Sequence, residues 1–195
     1  MEQHDGGRGW EWVTPLLSLG FCVTVARGLD EIALADALRL DPEYRYVLSR
    51  SEAVEEFGFE NPVTRVGRRG DWSFAVQECG AEIGDPSLLE ELSSLGGAAA
   101  TVWTTATALS WFGFAEAGGI AVRFDLIAPH QRTGRRAADF AEALREVGFD
   151  PGRPWPVDSM ESPIFPALAL LSRLTGLTLT TADVDGPLLS GELVE

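Results

Sequence analysis

The stretch SWFGFAEAGGIAVRFDL, residues 110–126, decides the fold class. Before the turn at Ala117-Gly118-Gly119, Phe112 and Phe114 alternate with Trp111, Gly113 and Ala115. Beyond it, Ile120, Val122 and Phe124 alternate with Ala121 and Arg123. A period of two marks half-buried strands, and a tight glycine turn between two such runs joins them antiparallel. Extended back to Ala98, the block 98–129 accommodates three strands.

The flanks repeat this pattern. NPVTRVGRRGDWSFAVQECG (61–80) predicts a second hairpin, with Val63 to Val66 as one arm and Gly67-Arg-Arg-Gly70 as the turn. Trp72, Phe74 and Val76 form the inward face of the other arm, and FCVTVARG (21–28) is a further strand. Helices are punctuated between them. Asp30 caps 31–40, Ser49 and Glu52 have capping-box spacing at the head of 49–58, and Asp85-Pro86 open 85–97. Phe140, Leu144 and Val147 share one face of a helix over 136–148. Residues 149–163 form a proline-rich loop, 162–176 an apolar helix opened by Ser162 and Pro163, and 179–187 a short capped turn. Hairpins without regular βα alternation predict an α+β domain: a twisted, mostly antiparallel sheet with helices on one face or at its ends. Residues 1–10 read as a flexible N-terminus and 11–195 as that single domain.

The 195 residues carry 30 acidic against 15 basic side chains, a formal net charge of −15, and the basic residues are all arginine. So acidic a chain is a poor ligand for nucleic acid or an anionic membrane, and well suited to a basic protein partner. Without lysine there is neither a phosphate loop of the Gly-Lys-Ser/Thr kind nor Schiff-base chemistry. No apolar run approaches the roughly 20 residues that span a bilayer; the nearest, 12–25, is broken by Pro15 and Gly20. The first ten residues lack the basic start and apolar run of a secretion signal, so a cytoplasmic location is expected. Cys22 and Cys79 read as free thiols, and no spacing calls for a cofactor or a metal.

Glu78, at the end of WSFAVQE, shares the apolar face of Trp72, Phe74 and Val76 if the alternation continues. A carboxylate in that setting serves as a general acid or base, or pairs with an arginine at the sheet rim. Arginines cluster at Arg65, Arg68 and Arg69, and at Arg132, Arg135 and Arg136 within APHQRTGRR (128–136). Such forks bind carboxylate or phosphate, or neutralise the chain's own acids; Arg132 is expected to pair with Asp125 or Glu78. The candidate binding residues are therefore Trp72, Glu78, Asp125, Arg132, Arg135, Arg136, Arg68 and Arg69.

Trp72, Glu78, Phe124, Asp125, Pro129, Arg132 and Gly134 fall on a recurring frame: a Trp-started strand ending near a Glu, an aromatic hairpin, then Phe-Asp-x-x-x-Pro-x-x-Arg-x-Gly. Over most of its length the chain resembles an uncharacterised family of acidic proteins of roughly 200 residues common in actinobacteria, and that resemblance carries no activity with it. The expectation is a non-catalytic cytoplasmic protein-binding factor, an immunity or inhibitor-type protein for a basic partner in a bacterial conflict system. The alternatives are a small hydrolase or transferase using Glu78 with Arg132, and an oligomerising module using its tryptophans or the 163–176 helix.

Overall fold

Strand β1 (Gly20–Arg27) lies between β4 (Trp72–Glu78) and β5 (Ala98–Thr105). Outside β5 come β6 (Ser110–Glu116) and β7 (Gly119–Asp125). Outside β4 come β3 (Thr64–Arg69), β8 (Leu188–Gly191) and β2 (Tyr46–Leu48). The computed structural model describes residues 9–58, 61–80, 82–107, 109–156 and 158–194. Among them, eight strands form one open sheet in the order β2-β8-β3-β4-β1-β5-β6-β7, antiparallel throughout. The α+β class read from the alternation is correct. Residues 1–8, most of the segment expected to be flexible, lie outside the described residues; Trp10 is buried.

Helices cover both faces of the sheet, where one face or its ends was expected. On β1, Phe21, Val23 and Val25 point into a core of large side chains, shared with Phe74, Phe112 and Phe124. That layer is closed by α4 (Ala141–Glu146) and α5 (Ile164–Thr175). The apolar side chains of α5, among them Leu168 and Leu171, are spent inside this core. Trp10 precedes a 3-10 turn at Glu11–Leu16 and Trp12 lies within it; their indole N–H groups donate to Ser172 Oγ at 3.0 Å and Leu179 O at 2.9 Å. Cys22 and Ala26 point the other way, toward α1 (Glu31–Ala37) and α3 (Pro86–Gly96). Two further helices, α2 (Arg50–Phe57) and α6 (Thr181–Asp185), are each opened by a capping box.

Three local expectations are revised. The β3–β4 turn is Gly70-Asp71, because Arg69 pairs with Trp72. Gly67 lies inside β3, where a Cβ would meet Phe74 Cζ at 2.5 Å and Leu188 Cδ2 at 2.6 Å, so it is a glycine of close packing. The helix over 136–148 is split into a 3-10 turn at Ala137–Phe140 followed by α4; Arg136, the residue ahead of the turn, donates its N–H to Ala121 O of β7. Strands β2 and β8, short and without alternation, went unread because their partners are distant in sequence.

The stretch 128–136 seals the β7 edge. Arg123 and Thr133 exchange both backbone hydrogen bonds at 2.8 and 2.9 Å, and Arg135 N and Arg136 N donate to Ile120 O and Ala121 O at 3.0 Å. Covering an edge in this way blocks pairing with a foreign strand. Gly134 makes the approach possible: at φ +128°, a Cβ there would lie 2.4 Å from Ala121 O. Gly148 has a comparable φ of +102° but no atom within 4 Å of a Cβ. Gly148→Ala is therefore expected to cost about 1 kcal/mol of strain and Gly134→Ala about 3 kcal/mol, the excess being the collision. Urea denaturation of the two variants checks this, and equal losses contradict it.

Candidate functional site

Trp103 on β5 and Trp111 on β6 are register partners, and Trp111 is in turn opposite Asp125 on β7. The three residues form a row on the α3 side of the sheet. The indoles meet edge to face, with centroids 6.2 Å apart and an interplanar angle of 78°. Two glycines make room for them. A Cβ at Gly84 would lie 1.9 Å from Trp103 Cδ1, and one at Gly113 would lie 2.5 Å from Trp111 Cζ3. Gly84 belongs to a 3-10 turn, Glu82–Gly84, held against the sheet where Thr24 Oγ1 donates to Ile83 O at 2.6 Å.

Above these rings opens a cleft of about 620 Å³, within the few-hundred-Å³ range of small-ligand sites. Its rim carries Asp85, Arg123, Asp125, Gln131 and Thr133. Asp85 caps α3; the hydrogen bond from Ser87 outweighs partial burial and holds its carboxyl below the ordinary range. Asp125 Oδ1 accepts from Ile127 N at 3.0 Å. The Asp85 carboxylate is therefore charged at neutral pH, and both carboxyl groups lie beside two π-faces that favour cations. Leu109 and Ile127, each more than half exposed, extend the apolar surface near this end of the sheet.

Of the candidate residues, Asp125 alone lines this cleft. Glu78 lies four strands from Asp125, roughly 19 Å at 4.7–4.9 Å per strand, and pairs with Arg50 at 2.8 Å. Burial by itself lowers the Arg50 pKa; the hydrogen bond and charge of Glu78, then Asp185, carry it above its ordinary value. Arg132 reaches neither Glu78 nor Asp125. It donates instead to Ala137 O at 2.8 Å, Pro151 O at 2.7 Å and Pro129 O at 3.4 Å, tying the edge cover to the proline-rich loop. The expected ion pair is thus replaced by carbonyl bonds, which satisfy a guanidinium wherever backbone is closer than an acid. Glu78 and Arg132 share no site.

The other arginines are mostly structural. Arg135 lies over Gly119 and donates to Glu116 O at 2.5 Å; Arg136 pairs with Glu116 at 2.8 Å and Asp139 at 3.0 Å. Arg68 folds onto Gly70 O. Arg69 borders a separate depression with Trp72 and pairs with Asp183 of α6 at 2.6 Å. Arg65, 4% exposed, donates to the Val184, Leu48 and Gly186 carbonyls, and burial brings its pKa down to about 10. It remains cationic at pH 7 and clamps β3 to β2 and α6. The Cys22 thiol, pushed up to about 12 by burial, is no nucleophile, and both cysteines are free. Among the described residues no group of three or more His, Cys, Asp or Glu could hold a metal ion, and no helix is long and apolar enough to cross a membrane.

Sequence reasoning missed Trp103, Trp111 and Arg123. Alternation placed both tryptophans in strands, where aromatic residues read as core. The available signal was the glycine two residues after Trp111, matched by one at Gly84 across the fold.

Two predictions follow from these contacts. Gly84→Ala displaces Trp103, so the near-UV circular dichroism of the indole pair falls while the far-UV spectrum persists; unchanged near-UV signal contradicts the seating. For Asp183, partial burial raises the pKa, but the hydrogen bonds of Thr180 and the charge of Arg69 overcome it and hold the carboxyl below 3.8. A depressed folded pKa adds stability above 3.8 that is lost as pH falls through the folded value. Asp183→Asn is therefore less stable than wild type at pH 6, and the gap closes as the pH is lowered below 3.8. Denaturation midpoints against pH measure this.

The chain matches the model of DUF6461, described as a family of unknown function, over residues 9–185. No curated protein and no solved structure shows significant similarity to it. A match over all but the two ends of the chain makes this protein a member of DUF6461.

Proposed function

We propose that this chain is a non-catalytic cytoplasmic factor that binds a basic protein, in the manner of an inhibitor or immunity protein, and that the Trp103–Trp111 cleft is its contact site. The observation that carries the reading is the composition of that cleft: two indoles, open to solvent, with Asp85 and Asp125 on the rim. Tryptophan is the side chain that most often anchors protein interfaces, and carboxylates beside it select cationic partners. The net charge of −15 adds long-range attraction that speeds encounter with a basic surface. The enzyme reading has no such support, since Glu78 is neutralised by Arg50 and Arg132 is occupied by backbone carbonyls.

The test is affinity purification from the source cell at low salt, with mass spectrometry of what is retained and a salt titration of the complex. A basic protein is expected, and the complex weakens as salt rises from about 0.1 M to about 1 M, where the Debye length shrinks from about 10 Å to about 3 Å. Trp111→Ala weakens it at all salt concentrations, by the roughly 2 kcal/mol typical of an interface anchor. Retention of acidic proteins only, or a complex indifferent to salt, overturns the reading.

A further inference from the structure

We infer that the cleft recognises the C-terminal residue of the basic partner, an arginine or lysine with its free carboxylate, through Trp103, Trp111 and Asp125 for the cationic head and Arg123 for the carboxylate. The inference rests on the reading of this chain as a binder of a basic protein, and it names the part of the partner that enters. Arg123 carries it. In a chain with twice as many acids as bases, this exposed arginine on the cleft wall makes no side-chain hydrogen bond, ion pair or ring contact among the described residues. A cleft that took a cation alone would be weakened by that charge, whereas one that takes a cation and a carboxylate together uses it.

The spacing suits such a ligand. Arg123 and Asp125 are two residues apart on β7 and share a sheet face, a separation of roughly 6.6 Å at about 3.3 Å per residue. An extended arginine or lysine holds its side-chain cation and its α-carboxylate about that far apart, and a chain-terminal basic residue is the smallest unit of a protein that bears both. The cationic head meets the faces of Trp103 and Trp111 and the carboxylate of Asp125, whose register position is opposite Trp111. The α-carboxylate meets the guanidinium fork of Arg123, which matches it bidentately. The N-terminus of α3 also borders the cleft, but Asp85 already caps it, so the anion's partner is Arg123.

The experiment titrates the full chain with three short peptides while following the indole N–H signals of Trp103 and Trp111 by NMR. The peptides are acetyl-Gly-Gly-Arg as free acid, the same peptide as C-terminal amide, and acetyl-Gly-Gly-norleucine as free acid; Trp103→Phe and Trp111→Phe assign the signals. The free-acid arginine peptide is expected to shift both indoles and to bind about tenfold more tightly than either control, as the loss of one charge-assisted pair predicts. Arg123→Gln abolishes the difference between acid and amide, and Asp125→Asn reduces the difference between arginine and norleucine. Equal binding of acid and amide, or equal binding of arginine and norleucine, overturns the inference without requiring any variant to fold; unmoved Trp103 and Trp111 indoles, once assigned, overturn it as well. Free arginine binding as tightly as the tripeptide makes the occupant a small zwitterion and overturns the chain-end assignment. If the peptides fail while a basic partner is still held in a salt-sensitive complex, this inference falls and the binding-factor reading stands. If they bind as expected and no basic partner exists, the binding-factor reading falls and the cleft chemistry stands.

Discussion

Burial of β1 on both faces is the constraint from which the rest of the structure follows. All its residues but Arg27 are buried, so each face of the sheet must be covered by its own layer. The two layers differ in thickness because the alternation on β1 is uneven. Phe21, Val23 and Val25 demand a deep core, which α5 and the Trp10–Trp12 turn supply. Cys22, Thr24 and Ala26, with Ala75, Ala99 and Ala115 beside them, present a shallow surface that lets α1 and α3 sit close. Thr24 and Thr101 keep that surface from being purely apolar. Their hydroxyls lie 2.8 Å apart, and Thr24 donates onward to Ile83 O, so neither hydroxyl is buried without a partner.

The shallow layer also explains where the cleft lies. Helix α3, which lies on that layer, begins at Pro86, so the ends of β5, β6 and β7 are left without a helix above them. Two large rings fill part of that space, seated on Gly84 and Gly113. The far wall comes from the edge cover after β7, which supplies Gln131 and Thr133. One segment therefore finishes the sheet and shapes the site. Pro129, Arg132 and Gly134 hold that segment in place, which gives the Pro-x-x-Arg-x-Gly pattern of this chain a structural reason independent of any chemistry.

Charge is divided between these tasks. Many of the arginines are consumed by internal pairs and carbonyl bonds: Arg50 with Glu78, Arg69 with Asp183, Arg136 with Glu116, and Arg132 with three backbone oxygens. With so much positive charge folded inward or neutralised, and 30 acidic residues against 15 basic ones, the surface carries an excess of carboxylates. Arg123, like Arg27, Arg39 and Arg145, is exposed without a side-chain partner among the described residues, and of these four it is the one that lines the cleft.

By itself the sequence determined the α+β class, the hairpins and most helix starts. These depend on local physics: alternation with a period of two, glycine turns, and capping side chains such as Asp30, Ser49, Asp85 and Thr180 within reach of their own helix. It also determined the acidity, a net charge of −15. Tertiary structure alone decided what depends on distant partners: the pairing of β2 and β8, the role of Gly67 as a packing gap, the allocation of Arg132 to carbonyls, and the helices on both faces. It decided the site as well. Trp103 and Trp111 look like core residues along the chain, and only the pairing of β5 with β6, under a helix that stops short, leaves their rings facing solvent beside Asp125 and Arg123. A row across three strands has no signature along any one of them, because side chains that meet across a sheet are set by register and not by proximity in sequence.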